Sequence, residues 1–138
     1  MGHRRKAREF ALQGLYMLEI GKATLEETVE LGWIEGNISD NIREFTITLM
    51  KGTIENIDKI DEYIKKYSKN WQFERLSTID KSILRIALYE MLFVQDIPTI
   101  VSINEGIELG KIFGGENSSQ FINGILDAVN KSELIKEK

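Results

Sequence analysis

One stretch constrains the fold more than any other: Leu76 to Val94, LSTIDKSILRIALYEMLFV, which from Ile83 onward is apolar on nearly every side. Only Arg85, Tyr89 and Glu90 interrupt the run Ile83, Leu84, Ile86, Ala87, Leu88, Met91, Leu92, Phe93, Val94. A surface helix carries one apolar stripe, whereas a helix apolar most of the way round must be covered from several sides. The stretch therefore reads as a central post buried by its neighbours. Ser77, with Asp80 three residues on, opens it as a capping box in which Asp replaces the usual Glu. Arg85 and Glu90 break a run already short of the roughly 18 to 20 apolar residues that a membrane span needs, so no membrane crossing is expected.

The rest of the chain reads as helices arranged around that post. Ala7, Phe10, Ala11, Gly14, Leu15 and Leu18 recur at helical spacing from Arg4 to Ile20, and Gly21 supplies a stop. Thr24 with Glu27 is a capping box for a short helix carrying Leu25, Val29 and Trp33, expected to end near Gly36 and Asn37. Ser39 or Asp40 caps a long segment with the stripe Ile42, Phe45, Leu49, Thr53, Ile57, Ile60, Ile64, Tyr67. The weak helix formers Gly52, Thr53 and Asn56 mark where it could break in two. Ser68 to Arg75 is a polar bridge with Trp71 and Phe73 expected as anchors.

After the post, Pro98, the only proline, marks a turn. Ser102 with Glu105 reads as a further capping box, opening a helix that ends at Gly114 and Gly115. Gly106 and Gly110 lie one turn apart on that helix and would let a neighbour come close. Asn117 with Gln120 reads as the cap of a last helix with the stripe Phe121, Ile125, Ala128, Val129. No strand-period alternation and no repeat interrupts this pattern. The expected class is all-α, with six to seven helices forming two packed helical bundles around the buried central helix. The expected organisation is one domain over residues 1–138, with subdomains of about 1–70 and 71–138.

At 138 residues and 42% apolar content, the chain has enough material for one ordinary core. It has no cysteine, which excludes disulfide frameworks and thiolate chemistry and fits a reducing compartment. The start, MGHRRKAREF, lacks the apolar core of a signal peptide, so a cytoplasmic, soluble protein is expected. His3 is the single histidine, which closes the usual zinc and Cys/His catalytic arrangements. Asp58, Asp61 and Glu62 read as a solvated acidic face, and Gly114 and Gly115 as a helix stop rather than an anion loop. No enzyme, metal or cofactor is expected.

Charge is segregated along the chain. Residues 1–22 carry five Lys/Arg against two Glu, residues 23–62 three Lys/Arg against ten Asp/Glu, and residues 63–75 four Lys/Arg against one Glu. Arg4, Arg5, Lys6 and Arg8 crowd the first turns of the first helix, the end where the helix dipole penalises each cation by roughly 0.3 to 1 kcal/mol. An anionic partner would relieve that strain, and arginine suits phosphate through bidentate bonds. An aromatic side chain with one wet edge, such as Tyr16, can stack on an unpaired base. These residues point to RNA or another polyanion; the competing reading is a basic tail that only aids solubility.

Four segments, RRKAREFALQGLY (Arg4 to Tyr16), DKSILRIALYEM (Asp80 to Met91), DIPTIVSINEGIELGKIFG (Asp96 to Gly114) and FINGILD (Phe121 to Asp127), together resemble the NusB family of transcription antitermination factors. The resemblance runs in order over nearly the whole chain; residues 20–70 match only by pattern and by Asn70-Trp71. It implies a non-enzymatic protein that binds the single-stranded boxA element of nascent ribosomal RNA leaders. The implied partners are the small-subunit ribosomal protein NusE and the RNA polymerase antitermination complex. Carried over by position, Arg4, Arg5, Lys6 and Arg8 match an arginine-rich RNA-contacting motif. Tyr16, Tyr67, Phe113 and Phe121 match aromatics along the RNA path, with ordinary core packing as the competing role, above all for Phe121. Asn117 and Gln120 fall where some members carry a charged residue, and Asp80 falls in the region that faces the ribosomal protein. Members resemble either monomers or dimers, so a homodimer is one of the states this implies. Two other functions fit the residues: an RNA-binding module like that of ribosomal RNA cytosine methyltransferases, and a protein-interaction scaffold using the acidic face of residues 23–62.

Overall fold

The computed structural model describes residues 2–68 and 72–134, all of whose regular structure is helical. Seven α-helices follow one another: α1 (Gly2–Glu19), α2 (Leu25–Glu30), α3 (Asp40–Glu55), α4 (Ile57–Tyr67), α5 (Thr78–Phe93), α6 (Thr99–Phe113) and α7 (Ser118–Val129). A 3-10 turn, Phe73–Arg75, precedes α5, and a π-turn, Asn130–Leu134, follows α7.

Their ends are set by local chemistry. Gly21, at φ +74, ends α1 in the left-handed conformation, and Lys22 N–H reaches back to the Met17 carbonyl at 2.9 Å. Thr24 and Glu27 complete the expected capping box, with bonds of 3.2 and 2.9 Å. α2 then stops sooner than expected, because Leu31 takes a left-handed φ of 62. Burial explains this strained cap: Leu31 is 4% exposed and packs in the core. Trp33 consequently lies beyond α2 and donates from its indole N–H to the Thr28 carbonyl at 2.9 Å. The long segment after Ser39 divides in two at Asn56, whose side-chain amide donates to the Gly52 carbonyl at 2.8 Å.

One capping expectation is overturned. α6 begins at Thr99, directly after Pro98, whose fixed φ suits a helix start. Ser102 and Glu105 therefore lie inside α6, both buried, and serve as polar partners for other helices. Asn117 holds the N-cap position of α7 but its side chain makes no cap bond; the Ser118 hydroxyl instead accepts from the Gly115 N–H at 2.8 Å. Trp71 and Asn70 lie outside the described residues. Phe73 does pack against the core, and cations of Lys81, Lys65 and Arg85 lie 4.9, 5.0 and 5.6 Å from its ring centre.

α5 is the post that the pattern indicated. Ile83, Leu84, Leu88 and Met91 are wholly buried, and α1, α3, α4, α6 and α7 all touch this helix. α1, α3 and α5 form one packed group and α5, α6 and α7 the other, so α5 belongs to both. α4, in the first part of the chain, also packs on α5 and α7. α6 and α7 approach closely at glycines: a Cβ on Gly110 would stand 2.9 Å from Ile122 and 3.3 Å from the Ser119 backbone.

The two charges that interrupt α5 are both neutralised internally. Arg85 is 7% exposed and donates two bonds of 2.9 Å to Asp61 and one of 3.4 Å to Glu19. Burial is the largest single influence and disfavours its charge, but the hydrogen bonds and charges of Asp61 and Glu19 together outweigh it and raise its pKa above the ordinary arginine value. Asp61 is thus a structural counter-ion rather than part of a solvated face.

Candidate nucleic-acid interface

The first turns of α1 carry the basic cluster, and the structure divides it. Arg4, Arg5 and Lys6 are exposed, whereas Arg8 is 4% exposed. Helical geometry accounts for the division: Arg8 is one turn beyond Arg4, next to the buried Ala7, on the side where α5 and α6 meet α1.

Arg8 grips Glu90 of α5 with two parallel bonds, Nε to Oε2 at 2.7 Å and Nη2 to Oε1 at 2.8 Å. Glu90 is 1% exposed and also accepts from the Ser102 hydroxyl at 2.8 Å. Arg8 Nη1 reaches Glu105 at 3.4 Å, and Glu105 is in turn held by Arg5, at 2.7 and 3.1 Å. Arg4 pairs with Asp96 at 3.0 Å and lies over the Phe45 ring, 4.8 Å from its centre. Arg4, Arg5 and Arg8 are therefore not waiting for an external anion to relieve the dipole, since carboxylates of α5, α6 and their connection already face them, while Lys6 lies 3.8 Å from Glu9 of its own helix. The bonds from Arg5 hold the Glu105 carboxyl below its ordinary pKa, and the Glu105 bond raises that of Arg5. A shallow cleft of about 420 Å³ opens between this helix start and the turn at Asp96, Ile97 and Pro98.

Further along α1 lies an apolar cleft of about 390 Å³, lined by Leu12, Gln13, Tyr16, Met17, Trp33, Ile79 and Phe113. It brings together Tyr16 and Phe113, each 37% exposed, from opposite ends of the sequence. Arg5, Gln13 and Tyr16 are spaced i, i+8 and i+11, so they follow one face of α1 over about 16 Å of axis. A cationic end and an aromatic end thus occupy a single helix. The polar exception in the lining is Gln13, whose amide both donates and accepts.

A second cleft, of about 200 Å³, is lined by Arg75, Leu76, Ser77, Asp80, Asn117, Ser118 and Phe121. It unites three residues singled out from sequence: Asp80, Asn117 and Phe121. The start of α5 contributes to both clefts, Ile79 lining one and its neighbour Asp80 the other. One carboxylate oxygen of Asp80 is buried without a hydrogen-bond partner, while the Ser77 hydroxyl caps the helix by accepting from Asp80 N–H at 3.0 Å. Gln120 is exposed on α7 and lines neither cleft. Tyr67 stands apart from both: its hydroxyl donates to Glu133, which also binds Lys66 at 2.7 Å.

Sequence reading missed Gln13, Met17, Trp33, Ile79 and Arg75 as lining residues, and the carboxylates Glu90 and Glu105 as partners of the basic cluster. Glu90 did leave a signal. A carboxylate in an otherwise apolar post must find a cation, because an unpaired buried charge is prohibitively costly.

Comparison with known proteins is decisive at this point, for the NusB family model matches residues 5–131 of the chain. The chain belongs to the NusB family. It is 45% identical over 145 aligned positions to the transcription antitermination protein NusB of Thermodesulfovibrio yellowstonii, covering 98% of this chain and 96% of that one. The solved structure of T. maritima NusB superposes on this NusB-family fold with a TM-score of 0.88 at 37% identity, covering 97% of this chain and 94% of that one. A crystal structure of the antitermination factors NusB and NusE in complex with double-stranded RNA shares the fold, with a TM-score of 0.78 at 24% identity and coverage of 95% and 98%.

Proposed function

We propose that this NusB-family chain is a non-enzymatic transcription antitermination factor that binds the single-stranded boxA element of ribosomal RNA leaders in the cytoplasm. It does so together with the ribosomal protein NusE, within the RNA polymerase antitermination complex. The observation that carries this reading is the face of α1 that runs from the exposed Arg5, flanked on either side by the exposed Arg4 and Lys6, to the aromatic cleft of Tyr16 and Phe113. Phosphates fit the first end and unstacked bases the second, which is the division of labour that single-stranded RNA recognition requires. The cleft of Asp80, Asn117 and Phe121 extends the same surface across the start of α5 and provides the edge at which the ribosomal protein meets the RNA. Arg8 supports this surface from beneath, because its guanidinium is committed to Glu90 and Glu105.

The test is the affinity for a boxA-like single-stranded RNA, measured with and without the ribosomal protein over a salt series. The reading expects binding that strengthens when the protein partner is added and falls log-linearly with salt, by roughly 0.7 per phosphate contact. Affinity that is insensitive to both salt and partner would return the chain to the protein-scaffold reading.

A further inference from the structure

We propose that Glu105 sets the RNA affinity of this surface, by acting as an internal competitor that RNA phosphate must displace from Arg5. The inference rests on the RNA reading above and adds to it a residue that contacts no RNA itself. Arg5 is the exposed cation most firmly held within the protein. Its Nε and Nη2 both donate to Glu105, at 3.1 and 2.7 Å, although 54% of its side chain is exposed. This is the fork geometry with which arginine grips a phosphate, already occupied by a carboxylate. Glu105 is not a mobile surface acid. It is 8% exposed, fixed on α6, and steadied by Arg8 Nη1 from below. Arg5 can therefore reach a phosphate with its full fork only by leaving Glu105. Arg4 repeats the arrangement more weakly, with Asp96 at 3.0 Å and both side chains well exposed.

Two consequences follow. The gain from each phosphate contact is the difference between phosphate and carboxylate at the same guanidinium, so affinity is lower than the count of exposed cations implies. The freed carboxylate also attracts a salt cation, so the net counterion release per contact falls below that of an uncommitted arginine.

The experiment compares Glu105→Gln with the parent, using a short oligouridine and a boxA-like RNA over a salt series. Arg8 keeps both of its bonds to Glu90 in this variant, and a melting curve checks its fold. Glu105→Gln should bind either RNA about two- to fivefold more tightly, the range for releasing an ion pair whose arginine is largely exposed. Its salt slope should steepen by up to about 0.7. Three comparisons separate competition from a mere change in net charge. Glu108 and Glu9 also act on Arg5 through space, so Glu108→Gln removes the same charge without freeing the fork and should gain less. In an Arg5→Ala background, Glu105→Gln should gain no more than Glu108→Gln does. Asp96→Asn, which weakens the hold on Arg4 at an exposed site, should give a smaller gain in the same direction, its fold checked by the same melting curve. Equal or weaker binding by a folded Glu105→Gln overturns the proposal, as does a gain that persists undiminished without Arg5. If Glu105→Gln fails to fold, Asp96→Asn alone decides, and no gain there overturns the competition. A parent that binds neither RNA even at low salt defeats the RNA reading itself, and the inference with it.

Discussion

α5 is buried on two faces by opposite means. On one, Leu84 and Leu88 are wholly buried among other apolar side chains. On the other, Glu90 is just as deeply buried, but against Arg8 and Ser102. Apolar burial is non-directional and sums many small contacts, so a lost methyl group is partly absorbed by its neighbours. Ionic burial depends on individual partners: the pair gains little over a well-packed apolar replacement, yet losing one member strands the other charge in the interior. The apolar face supplies stability, while the charged face fixes where α1 sits relative to α5 and α6, and thereby where the exposed cations of α1 point.

The largest expected effect breaks the charged face. Arg8→Ala should cost about 3–5 kcal/mol in chemical denaturation, because Glu90 is left buried without its cation. Replacing both members, Arg8→Met with Glu90→Leu, should restore most of that loss. If the double variant is as unstable as Arg8→Ala, the two residues do not act as a pair. On the apolar face, Leu84→Ala or Leu88→Ala should cost about 2–5 kcal/mol, with no partner substitution able to rescue either. A loss below about 0.5 kcal/mol, as at a surface site, would remove α5 from the centre of the fold.

A smaller effect is expected where α3 meets α5. A Cβ on Gly52 would clash with the Tyr89 ring, so Gly52→Ala should destabilise by about 1–3 kcal/mol through overpacking despite the better helix propensity of Ala. A stabilised Gly52→Ala protein would show that the α3 and α5 contact is looser than described.

How much of this was legible in the sequence depends on whether a residue's partner is local. The caps at Thr24 and Ser39, the stop at Gly21 and the apolar run of α5 are set by neighbours a few residues away, and each was readable. The two small residues Gly106 and Gly110 likewise announced the close approach of a neighbouring helix, which the structure identifies as α7. Ser102 and Glu105 had the spacing of a capping box, but their partners are Glu90, Arg5 and Arg8, the last two roughly a hundred residues away in the chain. The same distance hid the division of the basic cluster. From sequence, Arg8 was one of four equivalent cations, and its burial depends on an acid in a helix that the local pattern cannot place against α1. Family resemblance put Tyr16 and Phe113 along one implied RNA path, but the sharing of a cleft by Asp80 and Phe121 was not foreseen, since no local rule links residues so far apart.

The smallest effect concerns acid stability, and its sign follows from Glu105. Its folded pKa lies below the ordinary 4.5, chiefly because Arg5 donates to it. As pH falls from neutrality, the unfolded chain takes up this proton first, so the stabilisation is complete above about pH 4.5 and is lost as pH drops through the folded value. Urea midpoints measured against pH should therefore fall less steeply in acid for Glu105→Gln than for the parent. Identical acid limbs would mean that the pair with Arg5 does not form in solution.

The central claim is that the basic start of α1 does two jobs, with Arg8 holding the helix in place and Arg4, Arg5 and Lys6 meeting RNA. One paired measurement tests it: folding stability and single-stranded RNA affinity over a salt series, for Arg4→Ala/Arg5→Ala/Lys6→Ala beside the parent. The account predicts a triple variant that stays folded, binds RNA far more weakly, and has a salt slope shallower by up to about 2, or roughly 0.7 for each lost contact. A triple variant that binds as tightly as the parent at every salt concentration would contradict it, and the RNA site would lie elsewhere on the molecule.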